Sequence, residues 1–123
     1  MRVPFLAGNW KMFKTVREAL NLVEGLINDT KGIKDREIVV CPPFTALHVV
    51  AKAIEGTNVR LGAQNMYFKQ NGAFTGEVSP EMIKEIGCRY VILGHSERRN
   101  IFGETDELIN QKLKAAISWG LNP

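Results

Sequence analysis

The stretch Glu37-Ile38-Val39-Val40-Cys41-Pro42-Pro43 places four apolar residues in a row, without polar alternation, against two prolines that stop it. A strand wetted on one face alternates. A strand buried on both faces does not, and such strands belong to parallel sheets covered by helices. Phe44 to Ile54 reads as the helix that follows, with Gly56 as a stop that tolerates positive φ. The same unit recurs on either side. Val3 to Ala7 is the first strand, running into Gly8-Asn9-Trp10-Lys11. Its helix opens on Thr15-Val16-Arg17-Glu18, the spacing of a capping box, and carries Leu20, Val23 and Ile27 with Leu22 and Leu26 as one apolar stripe. Val59 to Ala63 is the third strand, and a long loop runs from Asn65 to Val78. Ser79-Pro80-Glu81 begins the third helix with a hydroxyl cap, a proline in the first turn and a carboxylate at the positive end of the dipole. That helix ends at Gly87, and Tyr90 to Leu93 is the fourth strand. A short helical piece then runs from Ser96 to about Phe102, and the last helix runs from Thr105-Asp106 to Trp119, with Gly120 as its stop. Four strand–helix units in succession predict an α/β fold with parallel strands and right-handed crossovers. No linker or low-complexity stretch divides residues 1–123, so one unit is expected.

Composition narrows the function. The chain has 123 residues, 45% hydrophobic and 24% charged, with a formal net charge of +3 and 2 cysteines. The charged share is that of an ordinary globular domain. The lysines are scattered and Arg98-Arg99 is the sole adjacent basic pair, so no face is expected to track a nucleic-acid backbone. No apolar run approaches the roughly 20 residues of a membrane span. Met1-Arg2-Val3-Pro4-Phe5 lacks the apolar core and cleavage site of a signal peptide, and a reducing cytoplasm is the expected compartment. Cys41 and Cys88 have no Cys or His at metal-ligand spacing and read as small buried hydrophobes.

Parallel α/β folds build their sites at the carboxyl ends of strands. Those ends read Gly8-Asn9-Trp10-Lys11, Cys41-Pro42-Pro43, Ala63-Gln64-Asn65 and Gly94-His95-Ser96-Glu97. Asn9 and Lys11 stand two apart, so an extended backbone projects both to one side and Trp10 to the other. Lys11 either reaches past the strand end to solvent or meets something negative. His95 begins a helix, whose positive end favours an uncharged imidazole, serving as a cap, a packing group or a hydrogen-bond donor. Glu97 is better suited to hold Lys11 than to move protons, because a carboxylate beside cations stays ionised. Arg98 and Arg99 are expected to pair with residues such as Glu77 or Glu104. His48 lies in mid-helix and is given no chemistry. The loop Asn71-Gly72-Ala73-Phe74-Thr75-Gly76-Glu77 either inserts its aromatic tip into a partner or folds back on its own domain.

Four segments taken together resemble the amino-terminal half of the triosephosphate isomerases: Ala7-Gly8-Asn9-Trp10-Lys11-Met12, Gly62-Ala63-Gln64-Asn65, Gly72-Ala73-Phe74-Thr75-Gly76-Glu77 and Gly94-His95-Ser96-Glu97-Arg98-Arg99. The resemblance covers essentially the whole chain. It implies the first four β/α units of a TIM (β/α)8 barrel. It also implies the glycolytic and gluconeogenic interconversion of dihydroxyacetone phosphate and glyceraldehyde 3-phosphate through an enediolate, with neither metal nor organic cofactor. By position, Asn9 and Lys11 would bind the triose phosphate, with Lys11 offsetting its charge. His95 would donate to the carbonyl oxygens and shuttle protons, and Glu97 would orient the lysine and histidine. Phe74, Thr75 and Glu77 would lie on a loop that carries Thr75 into the site of a second subunit of a homodimer.

A complete barrel of this kind takes about 250 residues and eight strands. A fifth strand is expected to begin where the sequence reaches Pro123. The family's carboxylate base, mobile lid and phosphate-gripping loops have no counterpart in these residues, so this stretch alone is expected to be inactive. Its open sheet edges and uncovered inner face are expected to drive association or leave it partly molten. A non-catalytic half-barrel serving folding or assembly is the alternative. An open, flavodoxin-like binding domain is a weaker one, since no glycine-rich strand-to-helix turn is present.

Overall fold

The computed structural model describes residues 2–123; Met1, part of the segment read for a leader peptide, lies outside them. Among the described residues nine elements follow in the order the sequence predicts: β1 (Phe5–Asn9), α1 (Val16–Asp29), β2 (Glu37–Cys41), α2 (Phe44–Ala53), β3 (Val59–Ala63), α3 (Pro80–Ile86), β4 (Tyr90–Val91), α4 (Ser96–Asn100) and α5 (Asp106–Ser118). The strands pair in parallel in chain order, β1-β2-β3-β4. The register runs Gly8↔Val40, Val40↔Leu61 and Gly62↔Tyr90. The sheet is curled. Phe5 on β1 and Tyr90 on β4, at opposite ends of the strand order, bring their rings to 5.1 Å across the hollow. The result is a half-barrel with strands inside and helices outside.

The core lies between strands and helices. Leu47 and Val50 of α2, Val23 of α1, Val40 of β2, Leu61 of β3 and Ile83 of α3 are all buried there. Each such side chain contributes on the order of 1.5–3 kcal/mol by leaving water. Local signals start the helices. Thr15 and Glu18 close the capping box reciprocally. Ser79 caps α3, Thr105 caps α5, and Gly87 ends α3 in the left-handed region.

Several boundaries differ from the sequence reading. β1 spans Phe5–Asn9 rather than Val3 to Ala7, because pairing with β2 persists to Asn9↔Cys41. β4 keeps only Tyr90–Val91, although Ile92 N–H still donates to Ala63 O at 2.9 Å. α4 stops at Asn100 and α5 at Ser118, with Trp119 as its cap. Burial on both strand faces holds for β2 and β3 and fails for β1, where Phe5 and Leu6 remain 51% and 54% exposed. β1 is an edge strand, paired in the sheet with β2 alone among the described residues. At the other edge, Asn122 forms a parallel bridge to Tyr90.

Candidate functional site

The carboxyl ends of β1, β3 and β4 converge on a cleft of about 290 Å³ lined by Asn9, Lys11, Gln64, Asn65, His95 and Glu97, with Met12, Phe44 and Phe102 as its apolar walls. Asn9, the last residue of β1, uses Oδ1 to accept the Lys11 backbone N–H at 2.9 Å. Lys11 itself has φ 54, so the extended geometry expected for this pair does not hold. A turn, rather than strand alternation, brings both side chains to the cleft, while Trp10 packs against the core. A non-glycine residue in that region costs on the order of 1–3 kcal/mol unless its surroundings impose it. Here Gln64 holds it as well as Asn9, donating from Nε2 to Lys11 O at 2.8 Å and to Cys41 O at 2.9 Å. The sequence places Gln64 at a strand end without assigning it a role. Its signal was its place at the end of β3, level with the ends of β1 and β2.

The Lys11 ammonium reaches Glu97 Oε2 at 3.1 Å, with both side chains about half exposed. Exposed to that degree, the pair adds little stability, and its consequence is to direct the ammonium into the cleft. His95 caps α4: its Nδ1 accepts the Glu97 backbone N–H at 3.1 Å. Glu97 Oε1 lies farther from that nitrogen, at 3.6 Å. The shorter contact occupies the Nδ1 lone pair, so an imidazole with one proton carries it on Nε2, and its remaining hydrogen-bonding group is a donor.

Behind the cleft lies a buried charged cluster that the sequence reading missed except for one pairing. Glu104 Oε2 accepts from Arg98 Nε and from Lys112 Nζ, both at 2.6 Å, and Lys112 Nζ also donates to Asn65 Oδ1 at 3.0 Å. Lys112 is 1% exposed. Burial pushes the Glu104 carboxyl up, and the hydrogen bonds and charges of Lys112 and Arg98 more than offset it, leaving it below the usual carboxylate range. Lys112 follows Leu108 by four residues and precedes Ala116 by four, a lysine in an apolar stripe, which is the signal that would have found it.

The Arg98–Glu104 pairing stands as expected. The suggested Glu77 partner does not: Arg99 pairs with Asp106 at 2.5 Å. The glycine loop follows the second of its two readings and folds back on its own domain. Phe74 stacks back on Tyr67 at 4.6 Å, while Thr75 and Glu77 stay exposed. His48 sits exposed on α2, away from the cleft. Cys41 and Cys88 are buried and free, and burial pushes their thiols up to about 11 and about 12. Among the described residues no cluster of three or more His, Cys, Asp or Glu side chains is placed to hold a metal ion. Among the described residues no helix is long and apolar enough to cross a membrane.

Comparison with known proteins places this geometry. The sequence profile described as Triosephosphate isomerase matches residues 4–123. A triosephosphate isomerase of Carboxydothermus hydrogenoformans is 63% identical over 123 residues, all of this chain and 49% of that protein. One from a Roseiflexus species is 57% identical over the same 123 residues, 48% of its length. The crystal structure of triosephosphate isomerase from Bartonella henselae superposes with a TM-score of 0.90 at 38% identity, covering 98% of this chain and 49% of that one. The chain thus spans about half the length of the curated relatives it matches, and its half-barrel corresponds to the first half of the barrel in that structure.

Proposed function

This chain belongs to the triosephosphate isomerase family, and from that membership we propose that its cleft is the amino-terminal share of a site that interconverts dihydroxyacetone phosphate and glyceraldehyde 3-phosphate. The observation that carries the reading is convergence: Lys11, Asn9 and the cap histidine His95 line one cleft from the ends of different strands. Lys11 offsets the phosphate and the enediolate charge, and Glu97 keeps its ammonium aimed inward. Asn9 binds substrate directly while fixing the Lys11 turn. His95 donates from Nε2 to the oxygens on which charge develops, where a donor already in place is worth most. The reaction needs a carboxylate to take the proton α to the carbonyl, and none of these residues fills that role. The 123 residues alone are therefore read as inactive, and phosphate-gripping loops and lid would come from the other half of a barrel. Exposed Thr75 and Glu77, on the loop pinned by Phe74, fit the reading of a homodimer loop. A cytoplasmic enzyme of glycolysis and gluconeogenesis completes it.

The test compares this chain alone with a chimera joining residues 1–123 to the remainder of the Carboxydothermus hydrogenoformans relative. The chain alone is expected to give no isomerisation above background. The chimera is expected to turn over, and His95→Ala to lower its kcat about 10²–10³-fold, the scale of losing one preorganised donor. Turnover unaffected by His95→Ala overturns the assignment. The exposed β1 also favours a second reading, a half-barrel that acts only as an assembly module. A chimera that folds and stays inactive with substrate supports it.

A further inference from the structure

His95 does its work only if its ring keeps one orientation, and the ring hangs from a backbone turn that needs its own support. Gly94 has φ 64, and a Cβ there would stand 3.0 Å from Ile109 of α5, so the turn is seated tightly against the first part of that helix. A carbonyl in such a turn points out of the strand ladder and must find another donor. The Gly94 carbonyl finds it in Arg99, whose Nε–H donates at 3.0 Å. The Arg99 backbone N–H donates to His95 O at 3.1 Å, so one residue grips the carbonyls on both sides of the His95 Cα. The other edge of the guanidinium is anchored to Asp106 Oδ1 at 2.5 Å. Asp106 stands in the first turn of α5, where the helix dipole favours a carboxylate.

We propose that Arg99 is a positioning residue for His95. Held by Asp106, it fixes the Gly94–His95 peptide plane and thereby the aim of Nε2. The proposal rests on the reading of His95 as the Nε2 donor. A planar fork suits this task as an ammonium does not, because it bonds a carbonyl and a carboxylate at once in set directions. The Arg99 and Asp106 side chains are 43% and 91% exposed, so the pair adds little to folding. Its effect is orientation.

The test reads the ring nitrogens of His95 by NMR in the 15N-labelled 123-residue chain, in the parent and in Arg99→Met, Arg99→Lys and Asp106→Asn. The parent is expected to hold its proton on Nε2, with Nδ1 in the acceptor state. Arg99→Met is expected to move the ring toward a mixture of tautomers, with a melting midpoint close to the parent's. Arg99→Lys and Asp106→Asn are expected to lie between. Arg99→Met and Asp106→Asn spectra that match the parent's overturn the proposal. A parent proton on Nδ1 overturns the donor reading instead, while the variants still decide the clamp by whether they move the ring. The same variants in the chimera give a kinetic form of the test that needs no resolved spectrum. Arg99→Met is expected to lower kcat about tenfold, with KM changed less than about twofold. An unchanged kcat, or a loss confined to KM, overturns the proposal there too.

Discussion

Lys112 is the residue whose environment most departs from what its type suggests. An ammonium 1% exposed is tolerable only because Glu104 and Asn65 meet it. Lys112→Met removes one partner and leaves a buried carboxylate with Arg98 alone. We expect a loss of about 3 kcal/mol, the lower end for breaking a buried pair because Arg98 remains, measured by urea unfolding. The pH dependence has a definite sign. Glu104 is depressed below its ordinary value of 4.5 in the folded chain, so its contribution is fully present above that value and is lost as pH falls through the lower, folded one. The parent is expected to lose stability below about pH 4.5 more steeply than Lys112→Met. Parallel acid limbs for the two proteins would contradict this. At this scale the sequence was legible wherever chemistry sat at a strand end. Asn9, Lys11, His95 and Glu97 all had that address. Gln64 shared it and was passed over, because its work is done on backbone carbonyls that no spacing rule points to. Lys112 was hidden for a different reason: its partners come from Asn65 and Glu104, on a loop and a turn that only the fold brings together.

Among the elements, existence was easier to read than extent. Caps are local chemistry, so Thr15, Ser79, Gly87 and Thr105 marked their helix ends from neighbouring residues alone. Strand ends are set by a partner elsewhere in the chain. β1 therefore runs on to Asn9 because Cys41 is there to pair with it. The left-handed Lys11 was illegible for a related cause, since its conformation is imposed by Asn9 and Gln64 rather than preferred by lysine. The cap of α3 offers a clean measurement. Ser79 is 5% exposed, and its Oγ accepts the Met82 N–H at 3.2 Å. Ser79→Ala is expected to destabilise the chain by about 1 kcal/mol, with Ser79→Gly costing only a few tenths. Equal losses for the two substitutions would show that the hydroxyl bond is not what holds this helix start.

For the molecule as a whole, alternation of nearly unbroken apolar strands with amphipathic helices was enough to predict a parallel α/β half-barrel. What alternation could not convey is how unequally the strands are covered. β2 and β3 are shielded by neighbours, whereas Val3, Phe5 and Leu6 remain more than half exposed. A groove of about 460 Å³ opens beside β1, lined by Leu6, Trp10, Leu22, Leu26 and Ile38 among others. Unpaired edges and contiguous apolar surface promote self-association. In sedimentation velocity, the 123-residue chain is expected to run as species larger than a monomer, with the share falling as concentration is lowered. A single monomeric boundary at every concentration would contradict this.

The simple strand order has a temporal meaning as well. Every ladder joins a strand to the one made just before it, and Asn122 already rests against Tyr90. A newly synthesised chain leaving the ribosome can thus lay each unit on a finished template without waiting for distant residues. Short-range pairing of this kind lowers the closure entropy at each step. Synthesis and assembly then proceed in the same direction, with each completed strand acting as the mould for its successor.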